Sequence, residues 1–209
     1  MPLGAHPEGQ NHGEKMKSSN KFSVVILAAG GSKRLGSPKQ FVSFKGDTLL
    51  SRSIIKSSKL DALEVIVVIG AYPQKIKQHI ACFNEIKLII NTDWLLGMSS
   101  SIKIAILSCS KESDAILFLT CDQPYINEQD LLEIIKLWKR DPTKQIGSFY
   151  NNIIGIPAII PRKNWPKLKN LTADHGARHL LINDKDTLKI NMPNAAFDVD
   201  TKEDLSCLS

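Results

Sequence analysis

The 209-residue chain is poor in cysteine and has no long apolar run, and each shortage excludes a class of protein. Its four cysteines (Cys82, Cys109, Cys121 and Cys207) lie far apart and form neither a CxxC pair nor a Cys/His pattern, which argues against a zinc module or a disulfide scaffold. We expect reduced, mostly buried thiols in a cytoplasmic protein. No apolar stretch approaches the roughly 20 residues needed to cross a bilayer, so no membrane contact is expected.

Aromatic residues are also scarce, at 6% of the chain, and no basic run alternates with them. The formal charge of +6 is a mild excess spread over scattered lysines, so the sequence does not predict a nucleic-acid partner. The first 20 residues are polar and lack the apolar middle of a secretory signal. We interpret residues 1–20 as a disordered extension and residues 21–209 as one domain, a length that suits a single core.

From Lys21 onward, short apolar runs alternate with helical patterns, and the early runs are continuous, as in strands buried on both faces of a parallel sheet. The predicted strands are 22–27, 65–69, 88–91, 115–120, 146–150, 156–160, 188–191 and 196–199. The predicted helices are 48–57, 73–82, 99–108, 127–138 and a short one over 163–169, with a turn at residues 151–152. This alternation predicts a single doubly wound α/β domain of three αβα layers with a mostly parallel, mixed sheet.

A loop of small residues follows the first predicted strand and comprises Leu27, Ala28, Ala29, Gly30, Gly31 and Ser32. Small side chains let backbone N–H groups approach an anion closely. Beyond the loop, Arg34 suits forked contacts with phosphate oxygens, and Lys39 supplies a point charge. The pattern matches neither GxxxxGK[ST] nor GxGxxG. A plain glycine-rich turn is the alternative, but the placement of Arg34 and Lys39 favours a triphosphate site.

Carboxylates follow two of the predicted strands, at the end of a sheet where ligands bind in α/β folds. Asp122 comes after strand 115–120, while Asp198 and Asp200 alternate along an extended segment and therefore share a side. Carboxylates beside a triphosphate are suitable ligands for Mg²⁺. Helix capping is the alternative role, for Asp200 before Thr201 and for Asp122, although Asn127 is better placed for the latter.

A glycine and three serines (Gly97, Ser99, Ser100 and Ser101) lie at the start of the predicted helix 99–108. Free N–H groups and hydroxyls at a helix N-terminus can bind an anion or the edge of a base. Ordinary capping by one serine is the alternative.

These elements together resemble a known family. LAAGGSKRLGSPKQ resembles the LAAGxSxRMGxPK signature of nucleotidyltransferases with a glycosyltransferase-A-like fold, and within them the molybdenum cofactor cytidylyltransferases. CDQP resembles the family's D-x-P element, AAFDVDTKEDL its DxDTPEDL segment, and residues 91–102 its N-x-x-(W/Y)-x-x-G element. The segments 155–158 and 174–178 resemble its G-x-P-(A/V) and D-x-G-A-R elements. The elements occur in the family's order and span nearly everything from Phe22 to Leu205.

The resemblance implies a nucleotide-diphospho-sugar transferase-like fold and a role for each matched residue. Arg34, Lys39 and Asp122 are then catalytic, and Asp122 holds Mg²⁺ together with Asp198 or Asp200, of which we favour Asp200. The nucleotide-binding set is Leu27, Ala28, Ala29, Gly30, Gly31, Ser32, Arg34, Lys39, Gly97, Ser99 and Ser100.

For the acceptor side, the resemblance implies Gly155, Pro157 and Arg178, the last as a ligand of an acceptor phosphate. His175 reads as a loop residue rather than a catalytic base. Many cofactor cytidylyltransferases have His in the middle of the G-x-P element, whereas this chain has Ile156, so one polar acceptor contact is missing.

The implied activity is transfer of CMP from CTP to a molybdopterin-type cofactor, with pyrophosphate as the second product. CTP is favoured over GTP because guanylyltransferase relatives have LAGG where this chain has LAAG, with Ala29 in third place. A transient contact with a molybdoenzyme or its chaperone is also expected. Two alternatives stay open: nucleotidyl transfer to a sugar acid or alcohol phosphate, and a nucleotide-binding chaperone that delivers finished cofactor without turnover.

Overall fold

A seven-stranded β-sheet forms the central layer of the protein, whose computed structural model describes residues 20–170 and 177–208. The strand bounds are β1 Phe22–Ala28, β2 Ser43–Phe44, β3 Asp47–Thr48, β4 Val65–Ile69, β5 Ile86–Ile90, β6 Ala115–Thr120, β7 Ile146–Tyr150, β8 Ile153–Pro161 and β9 Leu188–Asn191. The sheet order is β5-β4-β1-β6-β8-β7-β9, while β2 and β3 form a separate antiparallel ribbon.

Strand direction decides which residues meet at the edge where ligands bind. β5, β4, β1 and β6 are parallel, and β8 is antiparallel to both of its neighbours, β6 and β7. β7 therefore runs in the same direction as β6, and β9 is parallel to β7. As a result, Ala28, Ile69, Thr120 and Tyr150 end their strands at one edge, which we call the carboxyl edge.

Helices cover both faces of the sheet and complete three layers. Their bounds are α1 Leu49–Ser58, α2 Pro73–His79, α3 Met98–Ser108, α4 Glu128–Arg140, α5 Trp165–Lys169, α6 Ala177–Asn183 and α7 Lys202–Ser206. The apolar sides of α1, α2 and α4 pack in one core cluster, and those of α3, α5 and α6 pack in the other. Successive β1 residues such as Val24 and Val25 point into opposite clusters, which explains the continuous apolar run of this strand.

Most predicted elements are confirmed. The strands β4, β6, β7 and β9 match their predicted bounds residue for residue. The bounds of β1, β5 and β8 differ from the predicted ones by one to three residues at an end. Pro73 begins α2 as expected. Asn127 caps α4, because its side chain accepts a hydrogen bond from the N–H of Asp130 at 3.1 Å. Asn151 and Asn152 form the turn between β7 and β8 in left-handed backbone conformations, with φ of 46° and 60°.

The predicted strand 196–199 is wrong. A 3₁₀ helix, Pro193–Ala196, occupies the start of this segment, and the residues after it join no sheet. Pro193, whose ring fixes φ at about the helical value, stands at the start of this 3₁₀ helix. The apolar alternation has another cause, since Val199 is buried against Leu35, Phe44 and Leu49 in a small cluster outside the sheet.

Several other expectations concern the ends of the chain and its thiols. The disordered extension predicted for residues 1–20 falls, except for Asn20, outside the described residues. The expectation of mostly buried thiols is wrong, because Cys82 and Cys207 are exposed and only Cys121 among the four free cysteines is fully buried. None of the helices in the described ranges combines the length and apolar character needed to span a bilayer.

Candidate active site

The small-residue loop after β1 is held in place by side chains of the segment that follows it. Gln40, fully buried, donates its amide N–H groups to the carbonyl oxygens of Ala28 at 2.8 Å and Gly30 at 2.9 Å. Ser32 has a left-handed φ of 50°, and its Oγ accepts a hydrogen bond from the N–H of Lys39 at 3.0 Å. The loop is thus fixed before any ligand binds, which is the preorganisation that phosphate recognition requires.

A crevice of about 310 Å³ lies above this loop at the carboxyl edge. It is lined by the predicted residues Leu27, Ala29, Gly30, Lys39, Gly97 and Asp122. It is also lined by Lys33, Trp94, Leu95, Met98, Ser101 and Thr120, which were not among the predicted site residues. Ala28 lies just below, fully buried. The structure therefore brings the glycine loop, the start of α3 and the end of β6 together around one cavity.

Trp94 forms one wall of the crevice, and two glycines make room for it. A Cβ on Gly31 would lie 3.0 Å from the indole Cη2 of Trp94, and a Cβ on Gly70 would lie 2.6 Å from its Cγ. Gly70 directly follows β4, so the Trp94 side chain lies against the segments that follow β1 and β4. The N-x-x-(W/Y) element contains this residue, but the sequence carries no signal that pairs it with Gly70.

Four charged side chains converge at the mouth of the crevice. The Lys39 ammonium contacts Asp122 and lies 3.0 Å from Asp200 Oδ1, while Arg34 Nη2 lies 2.7 Å from Asp200 Oδ2. The side chains of Lys39 and Asp122 are only 17% and 14% exposed, whereas that of Arg34 is 73% exposed. Lys39 and Asp122 are 83 positions apart, and Arg34 and Asp200 are 166 apart, so the fold brings distant parts of the chain into one charge cluster.

The electrostatics of this cluster appear in two pKa values. Burial lowers the pKa of Lys39, but the attraction of Asp122 and Asp200 outweighs it, so the net shift is upward and the ammonium stays charged. Partial desolvation and repulsion from Asp122 and Asp200 raise the pKa of Asp198 to about 7, although the residue is exposed to solvent. Asp198 therefore faces the same negative region as the other two carboxylates.

Asp122 and Asp200 are not helix caps. Thr201, not Asp200, caps α7, and its hydroxyl forms a capping box with Asp204. Asp122 does not cap α4, because Asn127 does. Both carboxylates are therefore directed to the charge cluster.

One carboxylate oxygen of this cluster is suited to bind a cation. Asp122 Oδ1 is buried and has no hydrogen-bond partner among the described atoms, and a buried carboxylate oxygen is costly unless something binds it. No three Asp, Glu, His or Cys side chains converge on one point within residues 20–170 and 177–208. Asp122 and Asp200 could therefore hold a divalent ion only with help from phosphate oxygens and water, which is how Mg²⁺ is usually bound beside nucleotides.

The serines of α3 are divided between two cavities. Ser99 and Ser100 line a neighbouring open groove of about 760 Å³, while Ser101 lines the crevice itself. The Ser100 hydroxyl donates to carbonyl oxygens of Asp93 and Gly97 and accepts from Asn91. No serine side chain caps α3. The role of Ser99 and Ser100 as nucleotide ligands stays a prediction.

The predicted acceptor residues lie beyond β6, on the β8 and β7 side of the carboxyl edge. Gly155 and Pro157 belong to β8, and the Ile156 side chain between them is buried in the core with α3 and α5. Arg178 is exposed on α6 and lines a separate pocket with Asn152 and Ile153. Asp174, His175 and Gly176 of the same motif lie outside the described residues, whereas Ala177 begins α6.

A preorganised small-residue loop, flanking cations and paired carboxylates at the carboxyl edge of this sheet define a nucleotidyltransferase-type α/β domain. The family described as "MobA-like NTP transferase domain" matches residues 24–188, and the chain belongs to it. The chain is 26% identical over 191 residues to molybdenum cofactor cytidylyltransferase of Escherichia coli (strain K12), covering 88% of this chain and 93% of that protein. It is 27% identical over 193 residues to nicotine blue oxidoreductase of Paenarthrobacter nicotinovorans, covering 87% and 93%.

Among solved structures, Rv0371c from Mycobacterium tuberculosis H37Rv superimposes with a TM-score of 0.79 at 22% identity, covering 90% of this chain and 97% of that one. At that identity the likeness bears on the fold alone, and the fold is that of the nucleotide-diphospho-sugar transferases.

Proposed function

We propose that this chain transfers CMP from CTP to the terminal phosphate of a molybdopterin-type cofactor and releases pyrophosphate, in the cytoplasm. The observation that carries the proposal is the Lys39 ammonium between Asp122 and Asp200 at the mouth of the crevice. An acceptor phosphate oxygen forms a bond to the α-phosphorus, and the bond from that phosphorus to the bridging oxygen of the β-phosphate breaks.

The residues in hand can support this reaction without a strong general base. The acceptor phosphate is already ionised at neutral pH, so the work of the site is alignment and neutralisation of charge. Lys39 is held charged at the crevice, and the exposed Arg34 can reach phosphate oxygens in forked geometry. Gly30, which has open space above it, leaves the backbone N–H groups of the loop accessible to the triphosphate.

A magnesium ion belongs to this proposal, with Asp122 and Asp200 as its protein ligands and Asp198 beside them. The unpartnered Asp122 Oδ1 supports the assignment. When bound, a divalent ion neutralises the negative charge that builds up between the α-phosphate and the leaving pyrophosphate.

The decisive experiment is a panel of nucleotides and acceptors. Purified protein with Mg²⁺ and molybdopterin-bound cofactor is expected to release pyrophosphate with CTP and not with GTP. Release with GTP alone would overturn the choice of base, which rests on the LAAG sequence around Ala29. If none of the nucleotides led to pyrophosphate release, the transferase proposal itself would be removed; a relative of similar identity is named an oxidoreductase.

The same panel separates the alternative acceptors. Sugar acids and alcohol phosphates are included because Ile156 is buried and brings no polar group to the acceptor side. Turnover with one of them, and none with molybdopterin cofactor, would keep the transferase and replace its acceptor.

A cofactor-delivery chaperone is distinguished by its kinetics. It would bind nucleotide tightly and release no pyrophosphate. The complete set of Arg34, Lys39, Asp122 and Asp200 supports an active enzyme instead. Hand-over of the product to a molybdoenzyme or its chaperone is part of the proposal and can be tested by co-purification with product bound.

A further inference from the structure

Tyr150 ends β7 at the carboxyl edge, on the acceptor side of Asp122, and it belongs to none of the motifs identified in the sequence. Its side chain is half-buried. The hydroxyl lies 3.5 Å from the carbonyl oxygen of Ile156, which is too long for a good O–H···O hydrogen bond. A half-buried phenol with so weak an internal acceptor has a proton to offer to a ligand.

The surroundings of this hydroxyl belong to the charge cluster. Gln123 makes polar contacts with both Tyr150 and Asp198. Its own amide is fixed by donating to the carbonyl oxygens of Ile156 and Ala195, each at 3.1 Å. Burial, together with the negative charges of Asp198 and Asp122, raises the pKa of Tyr150, so the hydroxyl keeps its proton at neutral pH. Arg178 is also within electrostatic range of the Tyr150 hydroxyl, and its positive charge opposes this upward shift of the pKa.

Gly155 on β8 makes the position of this hydroxyl available. A Cβ at residue 155 would lie 2.5 Å from Tyr150 Oη and 3.2 Å from Cζ, so any larger residue would displace the phenol. The backbone of Gly155 does not have a left-handed φ, so space rather than conformation requires glycine here. The G-x-P element and Tyr150 therefore form one unit.

We propose that Tyr150 is an acceptor-binding residue whose hydroxyl donates a hydrogen bond to a phosphate oxygen of the phosphorylated acceptor, on the side of the site where Ile156 brings no polar group. This rests on the proposed nucleotidyl transfer. A neutral donor suits this place, because Asp122, Asp198 and an acceptor phosphate already concentrate negative charge there. Arg178 supplies the balancing positive charge from the exposed side.

Tyr150→Phe tests the proposal because it removes the hydroxyl and keeps the ring. We expect the acceptor KM and the equilibrium Kd for molybdopterin cofactor to rise about tenfold or more, the usual scale for losing a hydrogen bond to a charged group. The CTP KM and the melting temperature are expected to stay unchanged. Tyr125→Phe is the matched control, since its hydroxyl already donates to an internal acceptor, the Cys207 carbonyl, at 3.0 Å.

A second variant makes the test independent of tyrosine chemistry. Gly155→Ala is expected to raise the acceptor KM as Tyr150→Phe does, by pushing the hydroxyl aside. In the Tyr150→Phe background the same alanine meets no hydroxyl, so its further effect is expected to be small. If Gly155→Ala raised the acceptor KM by the same factor in the wild type and in Tyr150→Phe, Gly155 would act without Tyr150. The inference that the two residues form one unit would then be overturned.

The outcomes separate this inference from the proposed function. If Tyr150→Phe bound the cofactor more weakly but the wild type released no pyrophosphate, the proposed transferase activity would be overturned and the binding role of Tyr150 would stand. Wild-type turnover with an unchanged acceptor KM in Tyr150→Phe would overturn the inference and leave the function standing. A wild type that does not bind the cofactor, or a variant in which both KM values rise as stability falls, would also overturn it.

Discussion

The Lys39 ammonium contacts carboxylates from two distant parts of the chain, Asp122 and Asp200, so single substitutions at this contact should have large effects. Asp122→Asn and Lys39→Ala are each expected to lower kcat by about 10²-fold or more, the scale for removing one preorganised charged group. Lys59→Ala, an exposed lysine paired with Glu128, serves as control. Steady-state pyrophosphate release measures all three, and near-full activity in either site variant would remove that residue from the mechanism.

Asp198 offers a prediction about stability and pH. Its pKa is raised from 3.8 to about 7 in the folded protein, so its ionisation costs the folded state more than the unfolded chain. This cost is absent below the unfolded pKa and complete above the folded one. In chelator-containing buffer, Asp198→Asn should therefore gain stability relative to wild type as pH rises from about 4 through 7.

Thermal melts of the two proteins across this range measure the effect. Mg²⁺ is expected to shrink the difference, because a cation relieves the repulsion from Asp122 and Asp200. A difference that does not change with pH would contradict the raised pKa. Asp61→Asn, an exposed carboxylate far along the chain, controls for a general effect of lost charge.

The loop after β1 and the turn after β4 depend on glycine for different reasons. A Cβ on Gly70 would lie 2.6 Å from Trp94 Cγ and 2.8 Å from the Ala29 carbonyl, whereas a Cβ on Gly30 meets nothing within 4 Å. Gly70→Ala should destabilise the fold by about 1–3 kcal/mol through overpacking. Gly30→Ala should leave stability nearly unchanged and weaken nucleotide binding, because its methyl group enters the crevice.

Denaturant unfolding and nucleotide titration, applied to both variants, separate these effects. If Gly30→Ala bound CTP as tightly as wild type, close backbone approach at this position would not be part of recognition. If Gly70→Ala were fully stable, Trp94 would have to move without cost.

Elements whose signal is local were predictable from the sequence. β4 and β6 are short apolar runs with clear ends, and Asn127 carries its own capping partner three residues later. The predicted strand 196–199 was wrong because alternation of apolar residues indicates burial but does not identify the packing partner. Val199 is buried against Leu35, Phe44 and Leu49, outside the seven-stranded sheet. Gln40 and Trp94 were missed because their contacts, with the β1 loop and with Gly70, join segments that only the tertiary fold brings together.

Over the whole molecule, the antiparallel strand β8 divides the carboxyl edge into two halves. The parallel strands β4, β1 and β6 present the glycine loop and the crevice, while β8 and β7 present Gly155 and Tyr150. Asp122 follows β6, at the boundary between the halves. Sequence motifs predicted the glycine loop, Asp122 and Gly155 as site residues but not Tyr150. The antiparallel insertion that sets the two halves side by side depends on sheet order, which no local pattern encodes.

This division predicts that the two halves of the site respond independently to substitution. Gly30→Ala should raise the KM for CTP alone, and Tyr150→Phe should raise the KM for the acceptor alone. The double variant should show both losses, with free-energy changes that add to within about 0.5 kcal/mol, as expected for sites without shared contacts. Initial rates over a matrix of CTP and acceptor concentrations, for wild type and the three variants, give both KM values of each protein and hence the coupling free energy. A coupling free energy well above that limit would mean that the triphosphate and the acceptor phosphate share protein ligands. Lys39 and Asp122, the charged pair at the boundary between the halves, would then be the first residues to substitute in order to identify the shared ligands.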